Sequence, residues 1–204
     1  MPAEKKFPDL LYLELEDIVV KLISRYHLYA DTIINHILFD PAYEHYISTY
    51  FEDIFGSFSR KDSSGTYLFW AVPQGSRYNL QLWRKGNYLV SKDESYKIEL
   101  TPEAIAEAME KKEIIPGLLL NFMVVSFYYG LKCLGGFNQV NYLTMMKNGY
   151  IKMNVELENY RSIEVCARAQ TKEMCDGLTV AFLGYNGGQT VLASGLDLYL
   201  YRNE

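Results

Sequence analysis

Between Leu11 and Tyr26 the apolar residues Leu11, Leu15, Ile18, Val19, Leu22, Ile23 and Tyr26 recur at intervals of three and four. That is the period of a helix with one buried face, and it predicts helix from about Leu10 to Phe39. A second helix is expected from Pro41 to about Phe55, because Asp40 can cap it, proline suits its first turn and Gly56 can end it. The first 58 residues read as a helical pair.

The pattern changes after the polar loop "SRKDSSG", which marks the best internal boundary and divides the chain into 1–58 and 59–204 within one compact domain. Four short β-rich runs follow, "TYLFWAV", "RYNLQLW", "NYLVS" and "YKIEL", separated by turn-forming segments; they predict three or four antiparallel strands. Thr101 and Pro102 predict a helix start, the threonine accepting an amide hydrogen bond and the proline giving up a donor that has no partner there. "GLLLNFMVVSFYYGL", 117–131, is too short to span a bilayer and reads as a buried core helix begun by Pro116 and ended by Gly135 and Gly136. "NQVNYLTMMKN" predicts a helix stopped at Gly149, "YIKMNVEL" a strand, "RSIEVCARAQTKEM" a helix, and "LTVAFLG" and "LDLYLY" strands flanking "YNGGQ". The fold class is α+β or irregular α/β.

Composition narrows the function. Lys and Arg number 20 against 25 Asp and Glu, a net charge of −5 with no basic run, which argues against nucleic acid. Cys133, Cys166 and Cys175 have no C-x-x-C spacing, and no apolar segment follows a basic start, so reduced thiols in the cytoplasm are expected. The excess of 18 Tyr and 10 Phe suits a core, a pocket or an interface equally. The remaining partners are a small-molecule ligand and a second copy of the chain, with neither nucleic acid nor membrane among them.

His27, His36 and His45 are nine apart, half a turn out of phase on a helix, so a shared metal site is not expected; His36 with Asp40 and Glu44 is the residual arrangement. Cys133 ends an apolar helix, where a buried structural thiol is common. The dinucleotide fingerprint and the P-loop are both absent, and the sequence names no cofactor. What remains is "LGGFNQVNYL". Gly135 and Gly136 free backbone donors at the head of a helix, which favours an anion, while Asn138, Gln139 and Tyr142 offer polar groups beside it. Arg77 and Arg84 on the strands can bind carboxylate or phosphate in a fork. The competing readings are a left-handed cap with close packing for the glycines and a solvated strand face for the arginines.

In order, "YLFW" with Arg77, "ELTPEAI", "IIPG" and "GGFNQVNYL" resemble residues of the bacillithiol biosynthesis cysteine-adding enzyme family over 67–143. Matched one by one, Pro116 takes the place of the family's helix-leading proline, Gly135 and Gly136 of its glycine turn and Tyr142 of its tyrosine. Gln139 stands where the family carries an acid, so no acid–base role transfers to it. The resemblance implies a ligase-like activity joining an amino acid's thiol or amine to a sugar-derived substrate. Two functions are therefore expected: a small-molecule-binding domain or biosynthetic enzyme acting on an amino acid or a sugar- or phosphate-bearing substrate, or a non-catalytic interaction protein with an aromatic partner surface.

Overall fold

The computed structural model of the chain describes residues 13–133, 135–172, 179–185, 189–200 and 202. Helix α1 (Leu15–Tyr26) buries Val19 and Ile23, as the periodicity requires. It does not continue to Phe39. Thr32 adopts extended backbone, and its hydroxyl accepts from the Asn35 amide at 3.2 Å, which starts a separate helix, α2 (Ile33–Phe39). Asn35 Nδ2 in turn donates to the carbonyls of His27 and Leu28, both at 2.8 Å, supplying partners for groups left over where α1 ends. The Asp40 carboxylate accepts from Ala42 N at 2.8 Å just before α3 (Tyr43–Phe51). Three helices thus stand where the apolar period predicts two, because Tyr29 and Ile33 keep the intervals of three and four going from Tyr26 through a corner made by side-chain capping.

The polar loop 59–65 forms the tip of a small hairpin, β1 (Phe58–Ser59) with β2 (Ser64–Gly65). The four predicted strands form as β3 (Phe69–Ala71), β4 (Leu80–Lys85), β5 (Tyr88–Ser91) and β6 (Lys97–Glu99), all antiparallel. Helix α4 (Pro102–Glu110) begins as predicted, with Thr101 Oγ1 accepting from Ala104 N at 3.3 Å. It carries the chain from β6 across to the other edge, where β7 (Ile114–Pro116) pairs with β3 and completes the order β6-β5-β4-β3-β7. Pro116 therefore closes an edge strand and does not lead a helix, which suits a residue that cannot donate to a further ladder.

The core helix begins after Gly117 as α5 (Leu118–Phe122) and widens into a π-helical turn, Met123–Tyr128, in which Tyr129 N donates to Val124 O five residues back at 3.1 Å. It is buried as expected, but it ends at Gly130, well before the glycine pair. Helix α6 (Phe137–Glu156) passes straight through Gly149 and includes the stretch predicted as a strand. A Cβ at Gly149 would lie 2.6 Å from the Tyr50 carbonyl oxygen, so this glycine lets α3 cross α6 closely and does not stop the helix. Helix α7 (Tyr160–Arg168) follows, then the hairpin β8 (Thr179–Tyr185) and β9 (Gln189–Ser194), then α8 (Gly195–Leu200), a helix where "LDLYLY" predicts a strand. The result is an α+β fold. Sequence readings at 1–12, Leu134, Cys175 and 186–188 lie outside the described residues.

A single apolar cluster runs from Val19 through the sheet to Cys166, drawing on both sides of the 58/59 boundary. Arg84 adds a polar tie across it. Only 5% exposed, it donates from Nη2 to Phe39 O at 3.1 Å at the end of α2 and from Nε to Gly86 O at 3.0 Å. It is not on a solvated strand face.

Candidate functional site: a cleft at the corner between α1 and α2

The head of α6 is built differently from the sequence expectation. Gly136 is its N-cap with φ −70°, an ordinary value for any residue, and a Cβ there would meet nothing within 4 Å. Neither glycine has a left-handed backbone. The Gln139 side chain folds back over Gly135, where a Cβ would lie 1.8 Å from Gln139 Oε1, the movable end of that side chain, so this position does not demand glycine either. Asn138 and Gly136 are exposed. Tyr142 packs its ring near Phe55 and Phe122, at centroid distances of 5.8 and 6.2 Å, and burial raises its phenol above the usual tyrosine range. Arg77 is exposed in the loop after the Ala71 end of β3, whereas Tyr142 lies against Leu118 over Gly56, on the chain that leaves the Leu68 end. The structure brings Gly135, Gln139 and Tyr142 onto one helix head and leaves Arg77 apart from them. Cys133 is half-buried with its sulfur 2.9 Å from Ser126 Oγ, and Cys166 is buried, its thiol pushed up to about 12 by burial; neither is in a disulfide. Among the described residues no group of His, Cys, Asp or Glu is placed to hold a metal, and no helix is long and apolar enough to cross a membrane.

A second region gathers more chemistry. Where α1 turns into α2, two adjoining cavities of about 350 and 380 Å³ share Asp31, Thr32, Ile33 and Asn159. The first also reaches Tyr128 at the end of the π-helical turn and Arg161 and Ser162 on α7; the second reaches His36, Tyr43 and Glu158. Volumes of this size sit at the small end of ligand pockets.

Behind Thr32 lies His27, 1% exposed. Its Nδ1 is 3.0 Å from Thr32 Oγ1 and its Nε2 3.1 Å from Tyr129 Oη, and its ring packs edge-on against Tyr128 at 4.8 Å. Burial lowers its pKa to about 4, so at neutral pH the ring is uncharged, with one nitrogen donating and the other accepting. Neighbours on an α-helix point about 100° apart, yet Tyr128 and Tyr129 both reach this one imidazole. The widened turn re-aims them. On the outer wall, His36 Nε2 is 2.7 Å from Asp31 Oδ1 and stacks on Tyr43 at 5.3 Å.

Two buried polar residues of α6 lie near this wall. Tyr150 and Asn154, one turn apart on α6, are fully buried; Asn154 Nδ2 donates to Tyr150 O at 2.8 Å, and among the described residues Tyr150 Oη and Asn154 Oδ1 make no hydrogen bond of full geometry. Burial, then the nearby Cys166, pushes the Tyr150 phenol far above the usual range; the side chains of Ser162 and Asn154, close enough to hydrogen-bond it, act in the opposite direction, and Tyr128 adds to the rise. Ser162 and Tyr128 line the cleft, so the unpaired hydroxyl lies directly beneath its wall. Buried polar groups in native proteins nearly always have partners, and exceptions need a cause. At the rim, Glu158 holds a left-handed φ of +53°, which is strained for a non-glycine residue.

Sequence reasoning singled out His27 and His36 only in asking whether the histidines share a metal site. It did not reach Thr32, Tyr128, Asn159, Ser162 or the Tyr150 and Asn154 pair. The available signal was small: "LENYRS" carries an N-cap, Asn159, whose Oδ1 accepts from Ser162 N at 3.4 Å. No protein-family model matches the sequence, and no curated protein or solved structure matches it either. The likeness to the cysteine-adding enzymes of bacillithiol biosynthesis therefore rests on its quoted motif residues alone.

Proposed function

We propose that this chain is a small-molecule-binding domain whose polar ligand occupies the cleft between the α1–α2 corner, the end of the π-helical turn and the head of α7. One observation carries the reading: behind Ser162 and Tyr128, which line the cleft, the fully buried Tyr150 hydroxyl makes no hydrogen bond of full geometry among the described residues. Leaving such a group unpaired costs about 1–3 kcal/mol, and Ser162, which both lines the cleft and neighbours Tyr150, links that cost to the cleft's contents. His27 positions the wall. With both nitrogens committed to Thr32 and Tyr129, it is a strut for the corner and not a free base.

The test is a thermal-shift screen of amino acids, nucleotides and sugar phosphates on wild type, Ser162→Ala and Gln139→Ala. A ligand in the cleft raises the wild-type melting temperature by an amount set by its concentration over Kd, and that rise disappears in Ser162→Ala and persists in Gln139→Ala. The reverse pattern moves the ligand to the head of α6.

The interaction-protein reading has its own support. Tyr26, Tyr29, Tyr129 and Leu131 are exposed where α1 ends and where the π-helical turn ends, an aromatic grouping of the kind that anchors partners. It borders the cleft.

A further inference from the structure

We infer that the cleft takes a zwitterion of amino-acid size, its carboxylate toward Arg161 and its ammonium toward Asp31 and Glu158; this rests on the reading of the cleft as the ligand site. The charges lining it are of both signs and are separated. Arg161 lines the compartment that ends on Ser162 and Tyr128, Glu158 lines the compartment beside Tyr43, and Asp31 lines both. The Arg161 side chain makes no ion pair among the described residues, so its fork is free for a carboxylate. The acidic compartment also presents the Tyr43 ring, and an ammonium group is drawn both to carboxylates and to an aromatic face.

Two carboxylates against one guanidinium disfavour a polyanion. A nucleotide or sugar phosphate would meet Asp31 and Glu158 with the wrong sign. Asp31 already holds His36 at 2.7 Å, so the incoming ammonium shares that carboxylate. The hydroxyl of Ser162, in the compartment with Arg161, remains for a polar atom between the two charged ends. Because Arg161 and Asp31 are exposed, their attraction is weakened by water and salt, and affinity falls as ionic strength rises.

Titration calorimetry at pH 7.5 tests this with the proteinogenic amino acids added singly. For the best binder, two further probes follow, its carboxamide and its N-acetyl form, with inorganic phosphate and succinate as anionic controls. At least one amino acid binds, and removing either charge weakens it by about tenfold or more, the range of one lost charged hydrogen bond. In Arg161→Met, the acid and its carboxamide bind equally; in Asp31→Asn, the amino acid and its N-acetyl form come closer together. Circular dichroism melts confirm that both exposed-site variants fold. Phosphate or succinate binding more tightly than any amino acid, with the Arg161 dependence kept, overturns the zwitterion and leaves the cleft as the site. No heat from any probe, together with a Ser162→Ala variant indistinguishable from wild type in the thermal-shift screen, overturns both.

Discussion

At the head of α6 the Gln139 side chain lies over Gly135, Tyr142 is packed among aromatic rings, and Asn138 faces solvent. Farther along the same helix, Tyr150 and Asn154 are fully buried and keep polar atoms unpaired. Both regions join a helix head to amides and a phenol, so their composition is nearly alike. They differ in what those groups have left to offer. At the first, polar atoms are turned to packing or water; at the second, they are desolvated and unspent. A binding site is marked by unspent polarity inside a wall, and glycines beside amides do not by themselves make one.

The contrast breaks most visibly at His27. His27→Ala removes a buried ring and both of its hydrogen bonds, leaving the Thr32 hydroxyl with only the Asn35 amide, and urea denaturation should show a loss of about 3 kcal/mol. If that variant is nearly as stable as wild type, the corner is not held by the imidazole.

Acid titrates the same strut. The folded pKa of His27, about 4, lies below its ordinary value of 6.5, so between those values the unfolded chain takes up the proton and the folded chain does not. The stabilisation is complete above about pH 6.5 and is lost as pH falls toward 4, about 3 kcal/mol for a shift of this size. His27→Ala should flatten this part of the stability–pH curve, and an unchanged slope would show that other groups carry it.

The smallest effects belong to the head of α6. Gln139→Ala removes an amide that forms no hydrogen bond among the described residues, and should cost under about 0.5 kcal/mol. Gly136→Ser places a capping hydroxyl on a helix with no side-chain cap, and should gain a few tenths of a kcal/mol, read as a small rise in melting temperature. A large loss in either would show that this turn is under a constraint its open surroundings do not reveal.

Much of the fold was legible because its causes are local. Thr101 with Pro102 announces α4, alternation announces β4 and β5, and an apolar run announces the core helix. What escaped depends on neighbours distant in sequence. Strand β7 exists because β3 offers it an edge, and Gly149 reads as a stop until α3 is seen crossing there. The corner at Thr32 is hidden by Tyr29, which continues the helical period from Tyr26 to Ile33 through a break made by Asn35 and Thr32. The cleft was illegible for a further reason: Tyr150 and Asn154 sit in "NGYIKMNVEL", where nothing local says that a phenol and an amide will be buried without partners.

The most direct measurement is the unfolding free energy of Tyr150→Phe without ligand. If the buried hydroxyl is unspent, deleting it removes a desolvation cost and leaves the ring's packing in place. The variant should then be more stable than wild type by about 1 kcal/mol, and should lose affinity for whatever amino acid wild type binds. A Tyr150→Phe protein less stable than wild type would mean that the hydroxyl is already satisfied inside the fold, and the cleft would lose the observation on which its reading stands.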